Sequence, residues 1–334
     1  MSAAVPLFSA KAYPTQMQKS NAGFTLLELL IALTIGLVIL TAGLALYSST
    51  SRGSQVSQYE AQLNEDGLVS LNLIQNQIKQ AGYSQQIIPT NGATISGNFF
   101  GIAVRGCDGG FSSETVAFGS LACTTGSGSD AIAIRYQATP LNTYRTAGGA
   151  ATNCIGNGIT ANAASQAAPA PSPAPGTYAL ADNRYFVRTS SGLPNLMCRG
   201  ITNSIPATPT GDTQPLMPNV EEMQLLYGVA SHPSAELATS YDPMRHQIIA
   251  YLTATQIDAL PSSSKLPNIT DDRWGRVLSV RICLLIRSEQ PMRDVPTGGH
   301  AYKTCDNSDA AGTDGYLRRT FTTTVLLRNR LIIP

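Results

Sequence analysis

The chain opens polar and then turns apolar. From Phe24 to Leu46, about 23 residues, the only charge is Glu28. A helix rising about 1.5 Å per residue makes that run about 34 Å long, enough to cross a hydrocarbon core of about 30 Å. A carboxylate near its start costs at least about 2.5 kcal/mol in hydrocarbon, so it needs a partner or a task. The run is longer than the core of a secretory signal, about 7–15 residues. No clear small-x-small site follows it; the small residue, Gly23, precedes it. Ala32, Gly36 and Gly43 are small and allow close helix contacts.

No proline interrupts the chain from Phe24 to Ala81, and the pattern then becomes one-sided. Val56, Tyr59 and Leu63 recur at helical spacing, as do Leu68, Leu71, Ile74 and Ile78, with Gln and Asn between them. That predicts an amphipathic helix with one face packed on a sheet. Lys79 in a last turn and Gly82 just beyond suit the negative end and left-handed cap of a helix. The whole element is about 58 residues, or about 87 Å if continuous. Its weak patch is Ser48 to Ser54, where hydroxyls compete with the backbone and Gly53 costs about 1 kcal/mol against alanine. A bend or fraying is expected there, with a straight helix held by packing as the alternative.

After Gly82 come short alternating or β-branched runs between Gly, Asn and Pro turns. The predicted strands are Gly101–Arg105, Ala131–Tyr136, Arg184–Arg188, Leu196–Arg199, Glu222–Val229, Arg276–Arg287 and Arg319–Asn329. In the sixth, the apolar Leu278, Val280, Ile282 and Leu284 face one way and a mixed set faces the other, as in a strand laid on a core. Thr255–Leu260 reads as a short helical turn. The stretch from Ala161 to Gly176, with alternating Ala and Pro, reads as a disordered loop inside the head rather than a boundary. Together the patterns predict an α+β fold: a long N-terminal helix, transmembrane in its first half and amphipathic in its second, packed on a mainly antiparallel β-sheet head. The divisions are a leader over 1–23, the helix over 24–82 with its membrane part at 24–46, and the head over 83–334.

Composition sharpens this in two places. Net charge is +1 with only 13% charged residues, which leaves no electrostatic footprint for direct nucleic-acid binding. Six cysteines, Cys107, Cys123, Cys154, Cys198, Cys283 and Cys305, are widely spaced with no Cys-x-x-Cys pair. Metal sites and thioredoxin-like sites use close pairs, so disulfides in an exported domain are the better reading. Six cysteines allow 15 pairings. Neighbour pairing, 107–123, 154–198 and 283–305, is the expectation. Only the last has support, from Cys283 in a strand-like run and Cys305 in the loop after it. Lys11 and Lys19 before the span put the leader on the cytoplasmic side and send the head across.

Catalytic constellations are missing from the sequence. His232, His246 and His300 fit no ligand spacing, and there is no nucleophile elbow, phosphate loop or dinucleotide fingerprint. Asp306, Asp309 and Asp314 fall in a Gly-containing loop, where either calcium or a solvated turn is open, though the spacing is not that of an EF-hand. Asp271 and Asp272 beside Arg273 and Trp274 read as a turn into the long strand. The expectation is a non-enzyme with no cofactor and no metal.

The run Gly23-Phe24-Thr25-Leu26-Leu27-Glu28 resembles the class III signal of type IV pilins and type II secretion pseudopilins. The resemblance implies cleavage after Gly23 by the prepilin peptidase, N-methylation of the new Phe24 amine, and an assembly role for Glu28 at the fifth mature position. Ala32, Gly36 and Gly43 would then pack against neighbouring helices. Further along, Leu63–Gly67 through Gln80-Ala81-Gly82-Tyr83, Asp130–Tyr136, Tyr185–Arg188, Val220–Val229, Val280–Ser288 and Phe321–Arg330 are similar to segments of PilW-type minor pilins. The Ala/Pro-rich insertion and the cysteines are departures. Ala45 stands where major pilins often carry a kinking proline.

What the resemblance implies is a pilin-like fold in a structural subunit of the complex that primes pilus assembly at the fibre tip. Its implied partners are the prepilin peptidase, other minor pilins, the major pilin, a PilY-type tip adhesin and the inner-membrane assembly platform. The implied location is the inner membrane with a periplasmic head, and then the pilus tip. The alternative is a J-type minor pseudopilin of a type II secretion system.

Overall fold

The computed structural model describes residues 23–87, 96–99, 101–126, 128–161, 163–164, 177–204, 208–231, 247–262 and 272–330. The leader lysines, His232, His246, Asp271 and nearly all of the Ala/Pro-rich stretch lie outside them. The chain divides into two compact units, with the division between Gln55 and Val56.

Helix α1 runs from Leu26 to Ile78, 53 residues. Helical hydrogen bonding passes unbroken through Ala45 and through Ser48–Ser54, so no fraying interrupts it. Thr34, Thr41 and Ser48 each donate a side-chain hydrogen bond to the carbonyl three residues back. That spends their hydroxyls inside the helix rather than against it. In the first unit the apolar side chains are exposed all round, from Leu26 to Tyr47. This helix is long and apolar enough to cross a membrane.

In the second unit α1 buries Leu63, Gly67, Ser70, Ile74 and Ile78. The predicted stripe holds at Leu63, Ile74 and Ile78, with Leu71 packed beside them, but Leu68 is exposed and its neighbour Gly67 is the buried contact. The cause is Phe321, whose ring lies where a Cβ on residue 67 would be. Replacing Gly67 by alanine should normally gain about 1 kcal/mol in a helix. Here the ring must move, and a net loss of about 1–3 kcal/mol is expected. Thermal melting of Gly67→Ala checks this, and Gly67→Ala/Phe321→Leu should recover most of the loss.

The helix stops at Ile78 rather than carrying Lys79 in its last turn. Gly82 has φ +79°, the left-handed value that suits glycine, and its N–H donates to the Arg135 carbonyl at 2.9 Å. Asn329 closes the end from far along the chain. Its side-chain amide donates to the carbonyls of Lys79 at 3.1 Å, Gln80 at 3.4 Å and Ala81 at 3.5 Å.

The strands follow in chain order. They are β1 (Gln86–Ile87), β2 (Ser96–Gly97), β3 (Val104–Cys107), β4 (Ala131–Ala138), β5 (Ala163–Ala164), β6 (Thr177–Ser190), β7 (Leu193–Asn203), β8 (Thr210–Pro218), β9 (Val220–Val229), β10 (Ala250–Leu252), β11 (Val277–Arg287), β12 (His300–Lys303), β13 (Asp309–Gly312) and β14 (Arg318–Leu326). Helix α2 covers Ala254–Asp258, overlapping the expected helical turn at Thr255–Leu260. Among the described residues, one sheet has the order β3-β4-β6-β7-β8, with β5 beside β6, and a second has the order β10-β9-β11-β14. Every strand pair is antiparallel.

All seven predicted strands are present with shifted ends. The first starts at Val104, the third grows to Thr177–Ser190, and the last stops at Leu326 before a 3-10 turn over Arg328–Arg330. Arg276 belongs to a 3-10 turn that leads into β11. Strand β8 went unpredicted. It is an edge strand with Gly211, Asp212, Pro215 and Pro218, a composition that blunts an edge and hides the strand from a hydrophobic pattern.

Ser191 and Gly192 have φ of 52° and 79°, the turn that a two-residue hairpin from β6 to β7 needs. Asn219, φ 63°, turns the chain from β8 in one sheet to β9 in the other. One core joins α1 to both sheets through Leu63, Ile74, Ile78, Ile132, Tyr185, Met223, Tyr227, Val280 and Ile282. A smaller core on the other side of the larger sheet holds Phe111, Phe118, Leu121, Ala133, Phe186 and Met197.

Candidate functional site

The N-terminal unit begins with Gly23 and Phe24 exposed, Phe24 at 87%. Thr25 caps α1. Its hydroxyl accepts from the Glu28 N–H at 3.2 Å, and the Glu28 carboxylate accepts from the Thr25 N–H at 3.2 Å. This reciprocal pair is a capping box, readable in the sequence as Thr-x-x-Glu. Glu28 thus has a structural partner within its own chain. A carboxylate also suits the positive end of the helix dipole. Nothing lies within 4 Å of a Cβ placed on Gly36 or Gly43, so both glycines leave an open backbone face.

The cysteines pair as Cys107–Cys123, Cys154–Cys198 and Cys283–Cys305. The first staples the smaller core. The second ties the loop after β4 to β7. The third ties β11 to the turn between β12 and β13. Closing the 44-residue span of the second is worth about 4 kcal/mol of unfolded-state entropy.

The three carboxylates that could have formed a cation site do not converge. Asp309 pairs with Lys303 at 2.8 Å. Asp314 pairs with Arg318, whose hydrogen bonds pull its carboxyl down to about 2. Asp306 accepts from Thr304 and Ser308 beside it. Among the described residues no group of three His, Cys, Asp or Glu is placed to hold a metal ion.

Two polar clusters were not foreseen. The first lies inside the larger sheet. Asp182 and Arg184, both fully buried on β6, form a two-pronged pair at 2.9 Å and 2.9 Å. Arg184 also donates to the carbonyls of Glu114 at 2.6 Å and Val116 at 2.7 Å, which anchors the loop that forms the smaller core. Arg135 reaches Asp182 at 3.4 Å. No sequence signal marks this pair beyond two opposite charges two residues apart on a strand.

The second cluster joins the sheets. Asp130 donates its N–H to the Met223 carbonyl at 2.7 Å, and its carboxylate accepts from the Leu225 N–H at 2.7 Å and the Gly109 N–H at 3.2 Å. Ser129 accepts from the Met223 N–H at 2.9 Å. Burial pushes the Asp130 carboxyl up to about 7, against the two N–H bonds and with help from Asp108 and Glu222. Unfolded, it titrates near about 4. The stability this shift contributes is full below about pH 4 and is lost as pH rises through 7. The urea midpoint should therefore fall between pH 5 and pH 8 by the equivalent of roughly 3 kcal/mol. Asp130→Asn should flatten that slope.

Comparison with known proteins agrees with the signal and the head. A family model described as type IV pilus-assembly protein W matches residues 184–329, which hold the second half of β6 and all of β7 to β14. A prokaryotic N-terminal methylation motif matches residues 18–44. Among solved structures, a type IV-like pilin from Thermus thermophilus is similar over 81% of this chain and 98% of its own, at 12% identity and a TM-score of 0.36. A search of curated proteins gave no match. With the methylation motif at the head of its apolar helix and the W-type model over its head strands, the chain is similar at both ends to the PilW-type minor pilins of the type IV pilus.

Proposed function

We propose that this chain is a subunit of the minor-pilin complex that primes pilus assembly and sits at the fibre tip, where it helps present a PilY-type adhesin. The observation that carries the reading is Glu28, the one charge of the apolar run, five positions after Gly23 in a chain similar to this family. The precursor enters the inner membrane with its leader inside and its head in the periplasm. Prepilin peptidase cuts after Gly23, and the Phe24 amine is methylated. As the chain leaves the bilayer at the assembly platform, Glu28 pairs with the terminal amine of an adjacent subunit. A cation and an anion at that depth neutralise each other, which removes the cost of burying either one. The helices of this chain, the other minor pilins and the major pilin then bundle, with Ala32, Gly36 and Gly43 permitting close approach. The disulfides hold the loop-rich head under extension.

The test is deletion of the gene with wild-type re-supply, scored by surface pili, twitching motility and secreted exoproteins. Loss of pili, restored by the wild-type gene, supports the priming role. Intact pili with failed secretion would make the chain a J-type pseudopilin. Loss of neither would remove the assembly role.

A further inference from the structure

We propose that a groove in the head, between the end of α1 and the loop after β4, binds a neutral saccharide. The groove encloses about 330 Å³. That is the lower end of the about 300–1,000 Å³ typical of small-molecule sites, room for one or two sugar rings. One wall is Asn76, Gln77 and Gln80 of α1 and its following turn. The other includes Leu141, Tyr144 and Asn153. Among the described residues, no Asp, Glu, Lys, Arg or His lines it.

The polar groups are available. Among the described residues, the side-chain amides of Asn76 and Gln80 have no hydrogen-bond partner within the protein. Asn76 is exposed and Gln80 half-buried, so both amides are open to a ligand that offers donors and acceptors.

The apolar groups are displayed rather than packed. Leu141 is 93% exposed and Tyr144 85%. Their loop is nonetheless rigidly braced. Asn142 accepts from the Thr139 N–H at 2.7 Å and donates to the Gln137 carbonyl at 3.0 Å. Thr143 accepts from the Thr152 N–H at 3.1 Å, and the Thr152 hydroxyl donates to the Tyr144 carbonyl at 2.9 Å. The Cys154–Cys198 disulfide fixes the far end. A large aromatic held in water on an ordered loop contributes little to the core, and its ordering cost is already met before a ligand arrives.

This chemistry selects among ligands. An ion would shed hydration with no counter-charge to meet it. An apolar segment would bury the amides without satisfying them. A neutral sugar offers hydroxyls that both donate and accept, as amides do, and a C–H face for the Tyr144 ring. The inference does not depend on the priming role proposed above.

The test uses the full chain in micelles of a detergent without a sugar headgroup. Saturation-transfer NMR is run with methyl glycosides of glucose, galactose, mannose and N-acetylglucosamine, with lactose, and with sialyllactose as the charged control. At least one neutral saccharide should bind saturably. Its affinity should fall at least about tenfold in Tyr144→Ala and again in Asn76→Ala/Gln80→Ala, with the melting temperature unchanged. Tyr144 is so exposed that its loss leaves the fold intact. No neutral saccharide bound, binding that survives both variants, or a preference for sialyllactose over lactose would each overturn the proposal.

Discussion

Cells that carry Glu28→Gln in place of the native residue should assemble at least about tenfold fewer pili, although the helix start is unharmed. Glutamine keeps the capping box, because an amide oxygen still accepts from the Thr25 N–H and the Thr25 hydroxyl still accepts from the N–H of residue 28. What it loses is charge. A partner amine in the membrane would then be left uncompensated, at a cost of about 3–5 kcal/mol. Each 1.4 kcal/mol is a factor of about ten in docked population, so a tenfold loss is a conservative expectation. Glu28→Ala removes both functions and should be no better. Counting surface pili in the three strains separates the roles. If Glu28→Gln restores wild-type piliation while Glu28→Ala does not, the carboxylate is a cap and the docking role is wrong.

The largest effect on stability is expected from Arg184→Met. The methionine fits the volume but leaves Asp182 buried with only Arg135 at 3.4 Å, and it strands the carbonyls of Glu114 and Val116. Breaking a buried pair by removing one partner costs about 3–5 kcal/mol. For a head of this size that lowers the melting temperature by about 10 °C. The double change Asp182→Leu/Arg184→Met should recover much of the loss, since a buried ion pair is roughly replaceable by apolar residues of similar size. A double variant no more stable than Arg184→Met would mean that the carbonyl bonds, not the charge pair, carry the energy. Hydrogen exchange in the loop from Phe111 to Leu121 would then rise equally in both.

The parts of this fold legible in the sequence are those written in alternation. The apolar face of β11, with Leu278, Val280, Ile282 and Leu284, is buried as its alternation implies, although the mixed face is also buried except at Arg281. The strand β8 is not written so, because an edge needs no apolar face. The helix stripe is legible at Leu63, Ile74 and Ile78 but not at Leu68, since periodicity counts side chains and the contact there is Gly67 under the Phe321 ring. The capping box was present as Thr25 and Glu28, but the membrane cost of the charge drew attention to a partner outside the chain. The disulfide partners could be guessed only by proximity in sequence. The bonds from Arg184 to the Glu114 and Val116 carbonyls and the open groove beside Tyr144 join residues far apart along the chain. Gln80 and Tyr144 are brought together only after β4 has crossed the sheet.

The carbonyls left open where α1 ends are closed by Asn329, 250 residues after Lys79. In a chain synthesised from its N-terminus, that closing group arrives late. The helix is laid down first but cannot finish its end, nor seat Gly67 against Phe321, until β14 has been delivered. Contacts of such long range fold slowly, because their loop-closure cost is met before they reward it. The head therefore carries a check on its own completion. A chain cut short before Asn329 keeps an unfinished helix end and an unfilled core, and leaves open to proteolysis the very segment that a completed subunit hides.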